Sequence, residues 1–505
     1  MNTARMRSAL SGLIASGVSL GVAELFATKV SGGRSPVLSV GAQVINYTPA
    51  ALKDWAIRTF GTADKAILIA SVLAVVLILG LGAGLLARKH ISLGAIPFLI
   101  FGTLAYLASK NDPIVRIESM YVVLVTSVIA GVATLRWLVN RAAFSTDGDP
   151  LASDRRSFLV SAGGAAAFAG ATFALGKRAT RRVVASADRS LVVLPQAEDL
   201  AGPLGPSIPD INGVSRLYTP NAEFYRIDTA LGTPMVDLET WRLKIGGMVD
   251  RPYELSYDEI MTLPMVERDI TISCVSNEVG GRLVGNARWQ GVPLAYLLDK
   301  AGVQSDASQF VSRSVDGWNC GFPTEVALDG RDAILAVGMN GEPLPFAHGF
   351  PARIVVPGLY GYVSATKWIS EIEMTTWDAF DGYWVPRGWA KEGPIKTESR
   401  IDAPRSRTQV PSGPYKVGGV AWAPHTGIAK VEARVNEGAW VEGWMSDTIG
   451  DDSWRQWGAE VVFTTGQQVI EVRATDNSGY TQTPERVSPR PDGATGWHSV
   501  VVNAS

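Results

Sequence analysis

Uncharged apolar runs of bilayer-crossing length, gathered in the first third of the chain, limit its possible folds more than any other feature. Residues 66–87 form a run of 22 without charge, 91–109 one of 19 and 157–176 one of 20. A helix needs about 20 such residues to cross a hydrocarbon core, where every backbone polar group must be satisfied within the segment. Residues 8–23 and 120–135 are shorter but continue into apolar neighbours, so five spans are expected. Residues 35–52 are uncharged too, yet Pro36, Gln43, Asn46 and Pro49 argue against a span. An interfacial or re-entrant element and a buried loop are both open readings there.

Charge in the connecting segments does not orient these spans. Arg5, Arg7, Arg88, Lys89, Arg136, Arg141, Arg155 and Arg156 would lie on one side, against Lys53, Arg58, Lys65 and the basic group at 177–182 on the other. A second signal is more direct. Asp154-Arg155-Arg156-Ser157-Phe158-Leu159, directly before an Ala/Gly-rich apolar stretch, has the form of a twin-arginine export signal. An inside N-terminus and five spans then place everything after Gly176 outside the cytoplasm, as a multi-pass protein of the cell membrane. With 46 basic and 48 acidic residues and a net charge of -2, nothing calls for nucleic acid.

The remainder divides by pattern. Residues 1–150 hold about four spans and 151–182 the signal-like fifth. Residues 183–216, rich in Pro, Gly, Asp and Ala, read as a linker. Residues 217–400 mix strand-like stretches (241–245, 268–274, 352–356) with helical ones (256–263, 294–301), which predicts an α+β domain. From 401 to 505 the pattern becomes β alternation, as in Val469 to Thr475, and predicts an all-β immunoglobulin-like sandwich. Trp422, Trp440, Trp444, Trp454 and Trp457 crowd it and suit core and interface packing.

Chemistry concentrates on Cys274, in the run Asp269-Ile270-Thr271-Ile272-Ser273-Cys274-Val275-Ser276-Asn277. A cysteine after a β-prone stretch can serve as a soft thiolate ligand, although a lone cysteine is more often a small buried hydrophobe. Further on, residues 348–368 supply cations and donors suited to a phosphate and a polar ring system. The chain has two cysteines. A Cys274–Cys320 disulfide would abolish the metal reading; otherwise Cys320 is a buried thiol. Gly280-Gly281, in the Cys274 loop, is open between a close approach to a cofactor and a plain turn.

In five ordered segments the chain resembles the sulfite oxidase fold family of molybdopterin enzymes. They are residues 218–226, the Cys274 loop, 286–294, 340–345 and 348–368. The resemblance implies molybdenum held by the Cys274 thiolate and the two dithiolene sulfurs of one pterin. It also implies cofactor contacts from Asn221, Tyr225, Arg226, Ser314, His348, Arg353, Thr366 and Lys367. The activity implied is two-electron oxygen-atom transfer on a small substrate, with a homodimer formed through the C-terminal domain.

Two departures bear on substrate. Sulfite-oxidising members carry arginines where this chain has Pro220 and Val279, so a typical sulfite oxidase is not expected. A reductase of S- or N-oxides is the alternative. Arg282, Arg288 and Arg387 are the candidates to compensate, with surface ion pairing the plainer reading of each. Asn277, Glu278, Trp289, Trp318, Asn319, Trp384 and Arg387 are candidates for the pocket lining.

Electron supply must come from elsewhere. Two cysteines cannot hold an iron–sulfur cluster, and His90 is the only histidine before His348, so no haem pair exists in the spans. A separate electron donor or acceptor protein, or a quinone, is expected. Two rivals remain: a non-enzymatic membrane adhesin or receptor with a degenerate middle domain, and a cysteine hydrolase pairing Cys274 with His348.

Overall fold

A computed structural model describes residues 3–30, 34–60, 63–112, 115, 117–143, 152–186, 188–203 and 211–505. Part of the expected linker, 204–210, and residues 144–151, before the export-like signal, lie outside the described residues. The chain divides into two compact units, Met1–Ser190 with Ala230–Met235, and Leu191–Thr229 with Val236–Ser505.

The first unit is helical: α1 (Thr3–Val30), α2 (Pro36–Tyr47), α3 (Ala50–Phe60), α4 (Asp64–Ala87), α5 (Ile91–Lys110), α6 (Ile117–Ala143) and α7 (Ala152–Ser186). Five segments within these are long and apolar enough to cross a membrane: Ala4–Ala27, Asp64–Ala87, Ile91–Lys110, Ile117–Arg141 and Arg156–Arg178. Small residues bring α1 and α4 together. A Cβ added at Gly84 would fall 1.9 Å from the Ser8 carbonyl oxygen, and one at Gly12 would fall 2.0 Å from that of Gly80. The uncharged stretch at 35–52, open between interfacial element and loop, contains helix α2. Ser35 caps it, accepting from Val37 N at 3.2 Å. Arg34 and Ser39 flank this start and both donate to Asp112 Oδ2, at 2.8 and 2.9 Å.

In the second unit, the α+β part holds two sheets. One has the order β2 (Tyr253–Ser256), β1 (Arg242–Gly247), β10 (Ile369–Thr375), β5 (Gln309–Ser314), β6 (Asn319–Pro323). The other runs β3 (Val266–Ser273), β4 (Val284–Pro293), β7 (Ile334–Met339), β8 (Glu342–Pro343), with β9 (Arg353–Val355) also paired to β7. Between them lies a core including Leu243, Leu297, Phe310, Leu335, Ile354 and Ile372, all fully buried. Helix α9, after the four-residue α8 (Tyr257–Ile260), spans Leu294–Ala301 and ends at Gly302, whose φ of 70° suits a residue without a Cβ. The expected linker is not free beyond Leu191. Glu198 N donates to Met265 O and Glu267 N to Asp199 O, both at 2.8 Å, which lays this segment along β3.

The C-terminal part is all β. A four-stranded sheet, β11 (Glu398–Ala403), β13 (Gly413–Trp422), β17 (Arg455–Phe463), β16 (Trp444–Met445), faces a five-stranded one. The latter is β12 (Gln409–Val410), β19 (His498–Ala504), β18 (Gly466–Asp476), β14 (Ile428–Val435), β15 (Val441–Glu442). Alternate residues from both sheets, among them Val417, Trp457, Val431, Val472 and Val502, meet in one core. Trp422 and Trp454 turn instead toward Leu217 and Val284 of the α+β part.

Candidate active site

Strand β3 delivers Cys274 because its β-branched run, Ile270-Thr271-Ile272, is buried and pairs along its length with β4. The chain then turns back on itself: Cys274 N donates to Leu283 O at 2.8 Å and Cys274 O accepts from Asn277 N at 3.0 Å. Both cysteines are free thiols, so the disulfide alternative is not realised. Cys274 is 8% exposed, with Sγ 3.0 Å from Ser276 Oγ. Burial pushes its thiol up, and Ser276 opposes the shift. The neighbouring Tyr225 phenol is raised by burial and then by Cys274, with Arg353 acting against them, so it stands beside both.

The cations converge from three segments. Arg353, on β9, is 4% exposed; its Nη1 donates to His348 O at 3.2 Å and its guanidinium lies 5.0 Å from the centre of the Trp289 ring. No carboxylate among the described residues pairs with it. Burial pulls its pKa down to about 10, against the Tyr225 phenol. Lys367 Nζ and Arg226 Nε share one acid, Asp228 Oδ2, at 2.9 and 2.8 Å. Burial lowers Lys367 to about 8 despite Asp228, and Arg353 and Arg226 add to the shift. His348, 5% exposed, is brought to about 4 by burial, with all three cations contributing, so its ring is neutral at pH 7. Its Nε2 is 2.9 Å from Asn221 O, which assigns the proton to Nε2 and leaves Nδ1 as an acceptor. Gly349 permits this crowding: at φ 118°, a Cβ there would sit 3.0 Å from Arg353 Cβ and 3.2 Å from Lys367 Cα.

Thr366, fully buried beside this group, has Oγ1 2.6 Å from Ser312 Oγ and 3.2 Å from Cys320 Sγ. The expected buried thiol is thus joined to the site through Thr366. Ser314 ends β5, in register with Ile369. Asn221 joins the cluster through its carbonyl. Its amide is committed elsewhere, donating to Glu342 Oε1 at 2.5 Å and Met339 O at 3.2 Å and accepting from Asn340 Nδ2 at 2.8 Å.

Other candidates, for the pocket lining or for a compensating cation, are engaged in the fold or exposed. Trp289 is fully buried in the core, its Nε1 donating to Ile270 O at 3.0 Å, so it supports Arg353 from behind and lines no pocket. Arg288 is held by Asp269 at 2.9 and 2.8 Å, which removes it as a compensating cation. Arg387 stacks 3.7 Å over the Tyr383 ring and donates to Tyr383 O at 2.5 Å. Arg282 is exposed on the Cys274 loop and has no ion pair among the described residues. The Gly280 backbone approaches the His498 imidazole, 2.0 Å from where a Cβ would stand, so this close approach is to the C-terminal part. Nor do Cys274 and His348 pair with each other as a hydrolase would require.

Two features were missed in the sequence. Asp228 balances two of the three cations, and its spacing from Arg226 was the available signal. Glu398 on β11 is 4% exposed, and burial pushes its carboxyl up to about 8, with Asn277, Lys396 and Arg400 offsetting only part.

Comparison with known proteins agrees with this architecture. The family model described as "Oxidoreductase molybdopterin binding domain" matches residues 230–384. The uncharacterized oxidoreductase YuiH of Bacillus subtilis is 35% identical over 157 residues, covering 31% of this chain and 76% of that protein. Human mitochondrial sulfite oxidase is 27% identical over 341 residues, 57% of this chain and 62% of that one. The chain therefore spans about three fifths of the length of that relative. The crystal structure of the sulfane dehydrogenase SoxCD from Paracoccus pantotrophus aligns with a TM-score of 0.51 at 21% identity, covering 58% of this chain and 84% of that one, a likeness of fold. The chain belongs to the sulfite oxidase-type family of molybdopterin-binding oxidoreductases. That membership makes it an oxidoreductase rather than an adhesin, and it implies a molybdenum–molybdopterin cofactor.

The residues present fit such a group. Three cations with one carboxylate leave an excess of positive charge, and a buried guanidinium without an acid is costly unless an anion completes it. A phosphate-bearing pterin is such an anion, and Cys274 offers the soft sulfur donor that molybdenum requires.

Proposed function

We propose that Cys274 is the protein ligand to molybdenum, and that Tyr225, Arg226, Ser314, His348, Arg353, Thr366 and Lys367 hold the pterin and its phosphate. Arg353, buried and without a carboxylate partner among the described residues, is the observation that carries this reading. The cofactor, when bound, supplies two-electron oxygen-atom transfer. The protein's own residues would position and tune it: Arg353 and Lys367 would neutralise the phosphate, and His348 would offer Nδ1 as a hydrogen-bond acceptor. The closed 274–283 turn fixes the direction of the thiolate, and the packed walls exclude water.

The substrate in this reading is a small, weakly charged molecule rather than sulfite. Pro220 and Val279 bring no charge, and Arg288 and Arg387 are engaged elsewhere, which leaves Arg282, exposed on the Cys274 loop, as the one candidate cation in place of two arginines. A dianion entering would lose hydration without equivalent partners, at a cost of several kcal/mol. Reduction of S- or N-oxides, which are neutral substrates, suits this reading equally. Five spans anchor the protein in the cell membrane, the catalytic domain lies outside the cytoplasm, and the C-terminal sandwich is immunoglobulin-like and pairs two copies. Electrons pass to or from a separate protein or a quinone.

Full-length protein from a host that makes molybdopterin should hold about one molybdenum per chain. Cys274→Ser should change the sulfur ligation seen by X-ray absorption and abolish turnover; metal-free wild type, or an active variant, sinks the assignment. The same preparation should turn over sulfoxides or N-oxides with an artificial donor better than it oxidises sulfite. For topology, changing Arg155 and Arg156 together to Lys should keep a reporter fused after Ser505 in the cytoplasm. A reporter already cytoplasmic in the unmodified protein contradicts the orientation.

A further inference from the structure

In the helical unit, α1, α2, α4, α5 and α6 line a half-open cavity of about 370 Å³ whose walls are almost wholly aliphatic and aromatic. This lies in the range of small-molecule sites. Helix α2 lies along it, contributing Val37, Val40 and Val44. The helix is fixed in place by Arg34 and Ser39 on Asp112, by the Ser35 hydroxyl on Glu24, and by Gln43 Nε2 on Asn111 O at 3.2 Å.

Four serines reach the cavity wall, and three have their hydroxyls committed. Ser19 Oγ donates to Ser127 O at 2.9 Å, Ser127 Oγ to Leu124 O at 2.9 Å, and Ser71 Oγ to Ile67 O at 2.5 Å. Ser16 is different. It is 4% exposed, yet its hydroxyl has no hydrogen-bond partner among the described residues. Serines in apolar helices ordinarily bond back to the carbonyl four residues earlier. Ser8 and Ser11 of the same helix do so, to Ala4 O at 3.0 Å and Arg7 O at 2.9 Å. Ser16 Oγ instead lies against Gly80, only 2.3 Å from where a Cβ would stand. A lone donor in an apolar cavity is destabilising unless an acceptor enters with a ligand.

We infer that this cavity binds an isoprenoid quinone or quinol, with a ring oxygen on Ser16 Oγ and the tail along α4 and α5. The ligand must come from the bilayer, be neutral, carry an oxygen acceptor and present an apolar body, which excludes a charged headgroup in so apolar a space. A phospholipid acyl chain could fill the volume but would leave Ser16 unpaired. A membrane-soluble two-electron carrier also suits a two-electron oxidoreductase whose spans have no histidine pair and whose chain has two cysteines. The inference rests on the reading that the five helices lie in a membrane.

The probe is a 1,4-naphthoquinone with a diazirine-bearing decyl tail, photolysed with the full-length holoprotein in nanodiscs and mapped by mass spectrometry. Labelling should fall within 12–23, 68–80 and 97–105 and be displaced by unlabelled quinone but not by phospholipid. Ser16→Ala should weaken binding about three- to tenfold, the loss of one neutral hydrogen bond. Ala105→Phe or Val40→Trp, which fill the space, should abolish specific labelling while molybdenum content stays unchanged. Equal displacement by phospholipid would mean an acyl-chain site, and labelling that survives both filling variants would place the quinone elsewhere; each overturns the inference. Carbonate extraction separates the failures. A protein released from membranes refutes the anchoring, whereas one retained but unlabelled refutes the quinone site alone.

Discussion

An arginine packed against tryptophan occurs at both ends of the second unit, and the two cases differ in what surrounds the charge. In the C-terminal sheet, Arg473 lies 4.3 Å over Trp440 and Arg434 lies 4.6 Å over the same ring and 5.0 Å over Trp497. Each has its own acid across the strands: Arg473 Nε is 2.9 Å from Glu432 Oε2 and Arg434 Nη2 is 2.7 Å from Glu471 Oε2. Arg353 over Trp289 has no such acid among the described residues. The first arrangement is complete as folded and serves the sheet. The second is a charge waiting for a partner, which is why a buried cation marks a binding site only when its local acids have been counted.

The largest effect should come from removing the unmatched charge. Arg353→Met keeps the volume and deletes the guanidinium, so molybdenum and pterin content should fall by two orders of magnitude or more, reflecting about 3 to 5 kcal/mol for a buried charged partner lost. Without cofactor the order reverses. The apo-variant should melt at the same temperature as apo wild type or higher, since an uncompensated buried charge has gone. An apo-variant clearly less stable would mean that Arg353 is structural after all, like Arg473.

The same contrast explains what was legible in the sequence. Five helices of bilayer-crossing length were legible because an uncharged apolar run of about 20 residues suffices to mark such a helix. The two C-terminal sheets were legible from period-two alternation, as in Val469 to Thr475. Cys274, Arg353 and Lys367 stood out because their segments match an ordered set. Pairing was not legible. Arg288 and Asp269 meet across β3 and β4, and only register reveals that this arginine is engaged. Trp289 alternates inward on β4, so its expected place in the pocket fails for the same reason. Asn221 keeps its position but turns its amide to Asn340 and Glu342, a choice of rotamer that no sequence records.

Between these extremes lies Glu398, a buried acid whose environment raises its pKa to about 8. The sign follows from linkage. A carboxyl raised above its unfolded value near 4.5 is neutral in the native state, so its contribution is fully present below about pH 4.5 and is lost as pH rises through 8. Glu398→Gln should therefore remove a fall of a few kcal/mol in stability between those limits. Chemical denaturation of the two proteins at pH 5 and pH 8 measures it. Equal pH slopes would show that Glu398 is ionised in the fold, with Lys396 and Arg400 as sufficient partners.

The smallest effect should belong to the paired arginines. Arg473→Met loses one partly exposed ion pair and one stacking contact, each contributing about 0.5 to 1 kcal/mol. Glu432 keeps Lys430 Nζ at 3.2 Å, so the acid is not stranded. Thermal denaturation should register a drop of a few degrees at most, with cofactor content unchanged. A double-mutant cycle with Glu432→Gln should give a coupling below about 1 kcal/mol. A coupling several times larger, or loss of molybdenum from Arg473→Met, would mean that the C-terminal sheet does more than complete its own fold. The distinction between complete and waiting charges would then fail at the end of the molecule where it looks safest.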